Sequence, residues 1–109
     1  NLLILGVTFK ENCKDIRISK VFEIINKMSD LGTNVDICDP WVKTKDLPER
    51  YKSKLVSNPS NNYYDTIILA VAHDEFKKKA YQIIKYKKRK SIIYDLKHIL
   101  PKEQSDLRL

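Results

Sequence analysis

I-L-G-V-T-F-K-E-N-C-K-D-I-R-I-S, residues 4–19, decides how this chain is read. An apolar strand runs into a single glycine, Gly6, then into a loop carrying Lys10, Asn12, Asp15 and Arg17, and a helical pattern follows. Strand ends in an open α/β sheet point into a crevice, and the next helix offers unpaired N–H groups and the positive end of its dipole. The stretch therefore reads as an anion site. It does not read as a dinucleotide cradle, which needs three glycines so that the pyrophosphate can touch backbone. Only Gly6 is present; Thr8 and Phe9 stand where such a turn would be bare, so side chains must do the binding. A G-x-x-x-x-G-K-[ST] phosphate loop is absent as well. The competing reading makes Lys10, Asp15 and Arg17 a surface ion-pair cluster contributing about 0–1 kcal/mol.

Working outward, residues 2–7 form a nearly continuous apolar run, the pattern of a central parallel strand covered on both faces. Val21, Ile24, Ile25, Met28 and Leu31 follow at helical spacing, Gly32 sits where a left-handed helix end belongs, and Ser19 or Asp15 is placed to cap the start. Residues 35–38 give a second strand, stopped by Asp39-Pro40. Residues 41–52 are polar and hold a short helix at best, and Leu55-Val56 reads as a short edge strand. Turn chemistry over residues 57–64 leads to an apolar strand at 66–72, a helical region at about 74–87 and a last strand at 91–94. The β-α-β order implies a Rossmann-like open parallel sheet of about five strands with helices on both faces. Its strand exits are Phe9-Lys10, Asp39-Pro40-Trp41, His73-Asp74 and the segment from Asp95 to His98, all on one edge, so Lys10 and Lys97 are expected to converge on one anionic ligand.

At 109 residues with 42% hydrophobic content, the chain fits one domain. Cys13 and Cys38 make neither a disulfide framework nor a C-x-x-C motif, and metal ligands are too few for a site, which suits a reducing cytoplasm. No apolar run approaches the roughly 18–20 residues of a membrane span. A net charge of +7 invites a nucleic-acid reading. The excess, however, sits in Lys77, Lys78, Lys79, Lys85, Lys87, Lys88, Arg89 and Lys90 around apolar Tyr81, Ile83, Ile84 and Tyr86, the pattern of a helix with a solvated face. The chain opens on Asn1 directly before a strand, and is read as a fragment of a longer polypeptide.

Four segments taken together resemble one family: G-V-T-F-K-E-N-C-K-D-I-R-I-S-K from Gly6, D-P-W from Asp39, L-A-V-A-H-D-E-F from Leu69, and Y-D-L-K-H-I-L from Tyr94. In order and over the whole chain they look like the C-terminal, UDP-binding domain of the UDP-glucose/GDP-mannose dehydrogenases, most similar to the bacterial branch acting on UDP-N-acetyl-D-mannosamine or UDP-N-acetylgalactosamine. The resemblance implies a larger enzyme, a homodimer or higher, with an N-terminal domain that binds NAD and a central helical region. Such an enzyme oxidises the C6 alcohol of a UDP-sugar to a carboxylate for polysaccharide biosynthesis, using a cysteine outside these residues. This segment alone is then expected to be inactive, to hold no catalytic residue and to bind no cofactor itself. The matching positions are Phe9 and Lys10 against the nucleotide sugar and Lys97 where related enzymes carry an Arg; Asp15 and Arg17 organise the loop. Lys97 lacks the bidentate fork of that Arg.

Three other residues invite roles. Cys13 lies near Lys10 and Lys14 but has no paired His, His73 is read as positioning its strand-to-helix turn, and Asp39 as a structural Asp-Pro turn. The alternatives to the dehydrogenase reading are a free-standing nucleotide-binding module and a basic nucleic-acid-binding domain.

Overall fold

The computed structural model describes residues 1–108. Strands β1 (Leu2–Leu5), β2 (Val35–Cys38), β3 (Tyr64–Leu69), β4 (Lys87–Asp95) and β5 (Leu107–Arg108) pair in parallel in the order β2-β1-β3-β4-β5. Helices α1 (Val21–Asp30), α2 (Glu49–Lys52), α3 (Asp74–Lys78) and α4 (Ala80–Ile84) connect them, with single 3-10 turns at Thr44–Asp46 and Lys102–Gln104.

The apolar run of β1 exists because both faces are covered. Leu2 and Ile4 pack with Val21 and Ile25 of α1 and with Val35, Ile37 and Tyr51; Leu3 and Leu5 pack with Ile67, Leu69, Ile93, Phe76 of α3 and Ile83 of α4. Each such side chain taken out of water contributes about 1.5–3 kcal/mol, and a strand buried on both sides has no polar face to alternate with. Helix α1 ends as its sequence indicates: the Thr33 N–H donates to the Met28 carbonyl (3.1 Å) and the Gly32 N–H to the Ser29 carbonyl (3.0 Å), with Gly32 at φ +84°. Its start differs from expectation. Lys20 occupies the cap position with no side-chain cap, Ser19 Oγ reaches the Val21 N–H only at 3.4 Å, and Asp15 is engaged by Arg17 instead.

Two other expectations are corrected. Leu55 makes only an isolated bridge to Ile37, and the fifth strand is β5, two residues too short to carry any readable period. It is fixed from outside, by the Asp106 N–H on the Ile93 carbonyl (3.0 Å) and the Asp106 carboxylate accepting the Ile93 N–H (2.8 Å). The helical region read at 74–87 breaks at Lys79 and ends at Ile84, and residues 87–90 belong to β4. Carbonyls of Lys85 and Tyr86 accept N–H groups of Asn62, Tyr63 and Tyr64, so the chain is captured by β3 rather than continuing the helix. Between Tyr64↔Lys87 and Thr66↔Ile92 the two strands fall out of step, and the basic run occupies that bulge with Lys88 Nζ on Asp65 at 3.0 Å.

Since α1 packs on one face and α3 on the other, the connections reverse between β1 and β3. This is the switch point at which open α/β sheets form a binding crevice. Gly6 lies there at φ +96°, and a Cβ on it would sit 2.6 Å from Val71 Cβ. Gly6→Ala is therefore expected to cost about 3 kcal/mol in urea unfolding, combining overpacking with left-handed strain. Gly32→Ala, with nothing within 4 Å, should cost about 1–2 kcal/mol from backbone alone. Equal losses at the two sites would refute the close approach, and adding Val71→Ala to Gly6→Ala should recover part of the difference.

Candidate functional site

Leu5 pairs with Cys38 and with Leu69, and Leu69 with Asp95, so the four longer strands end in one row. Their exit loops share an edge, as the sequence implied. What joins three of them is His73, whose side chain is fully buried. Its Nδ1 accepts the Asn12 N–H from the β1 loop at 2.9 Å. Its Nε2 lies 3.0 Å from Asp39 Oδ2 at the β2 exit and 3.2 Å from Thr8 Oγ1. Asp39 is otherwise saturated: Oδ2 accepts the Val7 N–H (2.8 Å) and Oδ1 the Trp41 N–H (2.8 Å). Asn12, at φ +55°, returns the link by accepting the Asp74 N–H on Oδ1 at 3.0 Å. Trp41 and Phe76 flank the imidazole at centroid distances of 6.0 and 5.5 Å, and Trp41 Nε1 donates to Glu75 at 3.1 Å. His73 and Asp39 thus take the structural roles read for them. Asn12 was legible only as a loop residue; its left-handed φ and its two bonds across to the β3 exit were the missing signal.

The residues expected to touch ligand lie outside this buried knot. Phe9 is 50% exposed, and Lys10 and Lys97 are exposed. Among the described residues neither lysine is ion-paired. They follow β1 and β4, strands that lie two spacings apart in the sheet, about 10 Å, and leave it by the same edge. The Phe9 N–H closes the β1 loop on the Asp15 carbonyl at 2.6 Å. Behind Lys97, the fully buried Asp95 accepts N–H groups from Lys97 (3.3 Å), Ile99 (3.0 Å) and Leu100 (2.8 Å), which fixes that turn.

Neither cysteine is poised for chemistry. Burial, with Asp39 beside it, pushes the Cys38 thiol up to about 11, and Cys13 Sγ takes the Asp15 N–H at 3.5 Å. Both ring nitrogens of His73 are committed elsewhere, so it serves neither thiol as a base. Among the described residues no group of three or more His, Cys, Asp or Glu is arranged to hold a metal ion. A cleft of about 290 Å³ below the β2 exit is lined by Cys38, Pro40, Val56, Phe76, Lys79 and Tyr86 among others, and by none of Phe9, Lys10 or Lys97.

Asp15 and Arg17 form a bidentate pair, Nε to Oδ1 at 3.0 Å and Nη2 to Oδ2 at 2.9 Å, while the Arg17 N–H also donates to Oδ1 at 2.9 Å. The side-chain bonds of Arg17 lead, and with its backbone N–H they lower the Asp15 carboxyl from 3.8 to about 2. A depressed carboxyl stabilises the fold above its unfolded pKa and loses that contribution as pH falls through the folded value. A carboxyl-carbon NMR titration should place the Asp15 midpoint near 2 and move it toward 3.8 in Arg17→Ala; the same midpoint in both proteins would show that the pair does not form in solution.

Comparison with known proteins bears on this edge. The sequence profile of the UDP-glucose/GDP-mannose dehydrogenase family, UDP binding domain, matches residues 3–102. The chain is 46% identical over 109 residues to the UDP-N-acetyl-D-glucosamine 6-dehydrogenase of Pseudomonas aeruginosa, covering 99% of this chain and 26% of that protein. It is 43% identical to the Salmonella typhi protein of the same name, again covering 26% of it. The chain therefore spans about a quarter of the length of the curated relatives it matches. The solved UDP-D-ManNAc dehydrogenase of Pyrococcus horikoshii superposes with a TM-score of 0.68 at 23% identity, over 93% of this chain and 22% of that one. GDP-mannose dehydrogenase of Pseudomonas aeruginosa gives 0.69 at 21%, over 92% and 25%. At these identities the structural likeness is one of fold, and it agrees with the profile match. The chain belongs to the UDP-glucose/GDP-mannose dehydrogenase family, as its UDP binding domain.

Proposed function

We propose that this chain is the nucleotide-sugar-binding domain of an NAD-dependent UDP-N-acetylhexosamine 6-dehydrogenase, with Phe9, Lys10 and Lys97 meeting the substrate. One observation carries the reading: two unpaired lysines and a half-exposed phenylalanine stand at the switch-point edge of a UDP binding domain, on loops that buried groups hold in place. A diphosphate needs positive charge without backbone cradling here, because the space beside Gly6 is already filled by Val71. Lys10 supplies a point charge, and Lys97 a second, from the far side of the crevice. The ring of Phe9 offers an apolar face to base or sugar. Asp15 and Arg17 neutralise each other and hold the loop, and Lys10, Glu11 and Lys14 leave it a net charge of +1.

NAD, when bound, accepts the hydrides that take C6 from alcohol to carboxylate. The residues here do not fit its pyrophosphate, for the same reason that Gly6 offers no open backbone. Cofactor binding and the covalent chemistry belong to other parts of a longer enzyme, a homodimer or higher, whose product feeds polysaccharide synthesis. We place it in the cytoplasm. Its two cysteines are free, and among the described residues no helix is long and apolar enough to cross a membrane.

In the complete enzyme, Lys10→Ala should raise KM for the UDP-sugar about 10-fold or more, the loss of one charge-assisted contact of roughly 1.5–3 kcal/mol. Cys13→Ala should leave kcat/KM within about twofold. Steady-state kinetics showing the reverse pattern would overturn both assignments. Calorimetric titration that finds NAD binding this domain more tightly than UDP would overturn the domain's role.

A further inference from the structure

The buried imidazole of His73 is specified more tightly than a packing role requires. Thr8 Oγ1 donates its only proton to the Lys10 carbonyl at 2.8 Å, so toward Nε2 it can only accept. Asp39 Oδ2, the other atom facing Nε2, is an acceptor as well. Opposite Nδ1 stands a donor, the Asn12 N–H. Two acceptors face one nitrogen and a donor faces the other, which leaves a single arrangement of protons: Nε2 protonated, Nδ1 bare, ring neutral. A second proton could enter only at Nδ1, where two N–H groups would then confront each other across 2.9 Å. The imidazolium and the observed Asn12 turn are mutually exclusive.

We propose that His73 is a positioning residue for nucleotide-sugar binding, a single-tautomer latch that holds the Phe9–Asn12 loop closed on the β3 exit while neutral and releases it when protonated. The proposal rests on the reading that this loop presents Phe9 and Lys10 to the substrate. The latch has two strokes. The Nδ1 bond fixes the Asn12 backbone at φ +55°, and through Thr8 the Nε2 side fixes the Lys10 carbonyl. Both residues flanking the ligand-facing stretch are thereby tied to one ring. Among the described residues the one other hydrogen bond between the β1 loop and the β3 exit is that of the Asn12 side chain with the Asp74 N–H, which depends on the same turn.

The charged groups around the ring set what protonation meets. From the β2 exit Asp39 faces Nε2 directly. The β1 loop also carries Lys10 and Glu11, and α3 Asp74 and Glu75; these four lie outside the ring's hydrogen bonds, and Glu75 is held by Trp41. Trp41 and Phe76 close the remaining sides with apolar surface. Loss of the Asn12 bond is the local consequence that distinguishes the charged ring.

Nitrogen-15 NMR of the histidine rings tests the latch on the chain itself. At neutral pH Nε2 should appear as the protonated, pyrrole-type nitrogen and Nδ1 as the bare, pyridine-type one; on acidification the Asn12 amide should shift in step with the ring. The opposite tautomer, or an Asn12 amide indifferent to the ring's titration, overturns the proposal. In the complete enzyme, KM for the UDP-sugar should rise as pH falls through that same titration, with a much smaller change in kcat. His73→Gln, which keeps a neutral donor for Asp39, should raise KM about 10-fold and abolish the acid-side rise. His73→Phe should raise KM more, and a thermal melt separates this from misfolding. A pH-independent KM in the parent enzyme, or an acid-side rise that persists in His73→Gln, overturns the latch. If the NMR signature holds while Lys10→Ala leaves KM unchanged, the assignment of the substrate to this loop fails and takes the positioning role with it, while the hold of His73 on the loop stands as a property of the fold.

Discussion

One buried hydrogen bond, between His73 Nε2 and Asp39 Oδ2, carries the functional edge of this domain. Polar groups taken from water at a sheet edge each cost about 1–3 kcal/mol if left unpaired. Here none at the junction is left so. Asp39 satisfies Val7, Trp41 and His73, while His73 satisfies Asn12 and meets Thr8. Three loops that leave three different strands are thereby made one rigid body without any secondary structure of their own. Removing either partner strands the other's bonds, which is why the pair dominates the geometry of everything exposed above it.

Gly6 and Val71 complete the constraint from below. Bringing the exits of β1 and β3 this close is possible only because the glycine lacks a Cβ, and the approach consumes the opening that a phosphate would otherwise use to reach backbone. What the junction leaves open is the space above it, within reach of side chains long enough to extend past it. Phe9 and Lys10 are the first residues of the loop to escape burial, immediately after the run from Leu2 to Thr8. The same packing fills the space beside Gly6 that a dinucleotide cradle would need.

How much of this could be read in advance follows from which forces are local. The apolar runs at β1 and β3 and the helical spacing of Val21, Ile25 and Met28 report burial directly, so the doubly wound fold was legible, as was Gly32. The start of β4 was not, because residues 87–90 are basic and follow a helical pattern, and only β3 captures them as a bulged strand. Strand β5 was invisible, being two residues held by Asp106. Phe9, Lys10, Asp15, Arg17 and Lys97 were nameable as candidates from chemistry and from family resemblance. The tautomer of His73 was not, since it is dictated by a backbone N–H and a threonine whose positions exist only after folding.

Charge placement differs between the inside and the outside of this edge. Two acidic residues at the strand exits, Asp39 and Asp95, are turned inward, 5% and 0% exposed, and their carboxylates are occupied by backbone N–H groups and by His73, whereas Asp74 and Glu11 stay exposed. Asp15 is matched by Arg17 and Asp65 by Lys88 and the chain's N-terminal ammonium. Among the described residues Lys10 and Lys97 have no such partner. Buried carboxylates compensated by N–H dipoles project little field outward, whereas an exposed, unpaired ammonium projects its full, salt-screened charge. The inward carboxylates therefore take little from the positive charge that Lys10 and Lys97 expose on this edge.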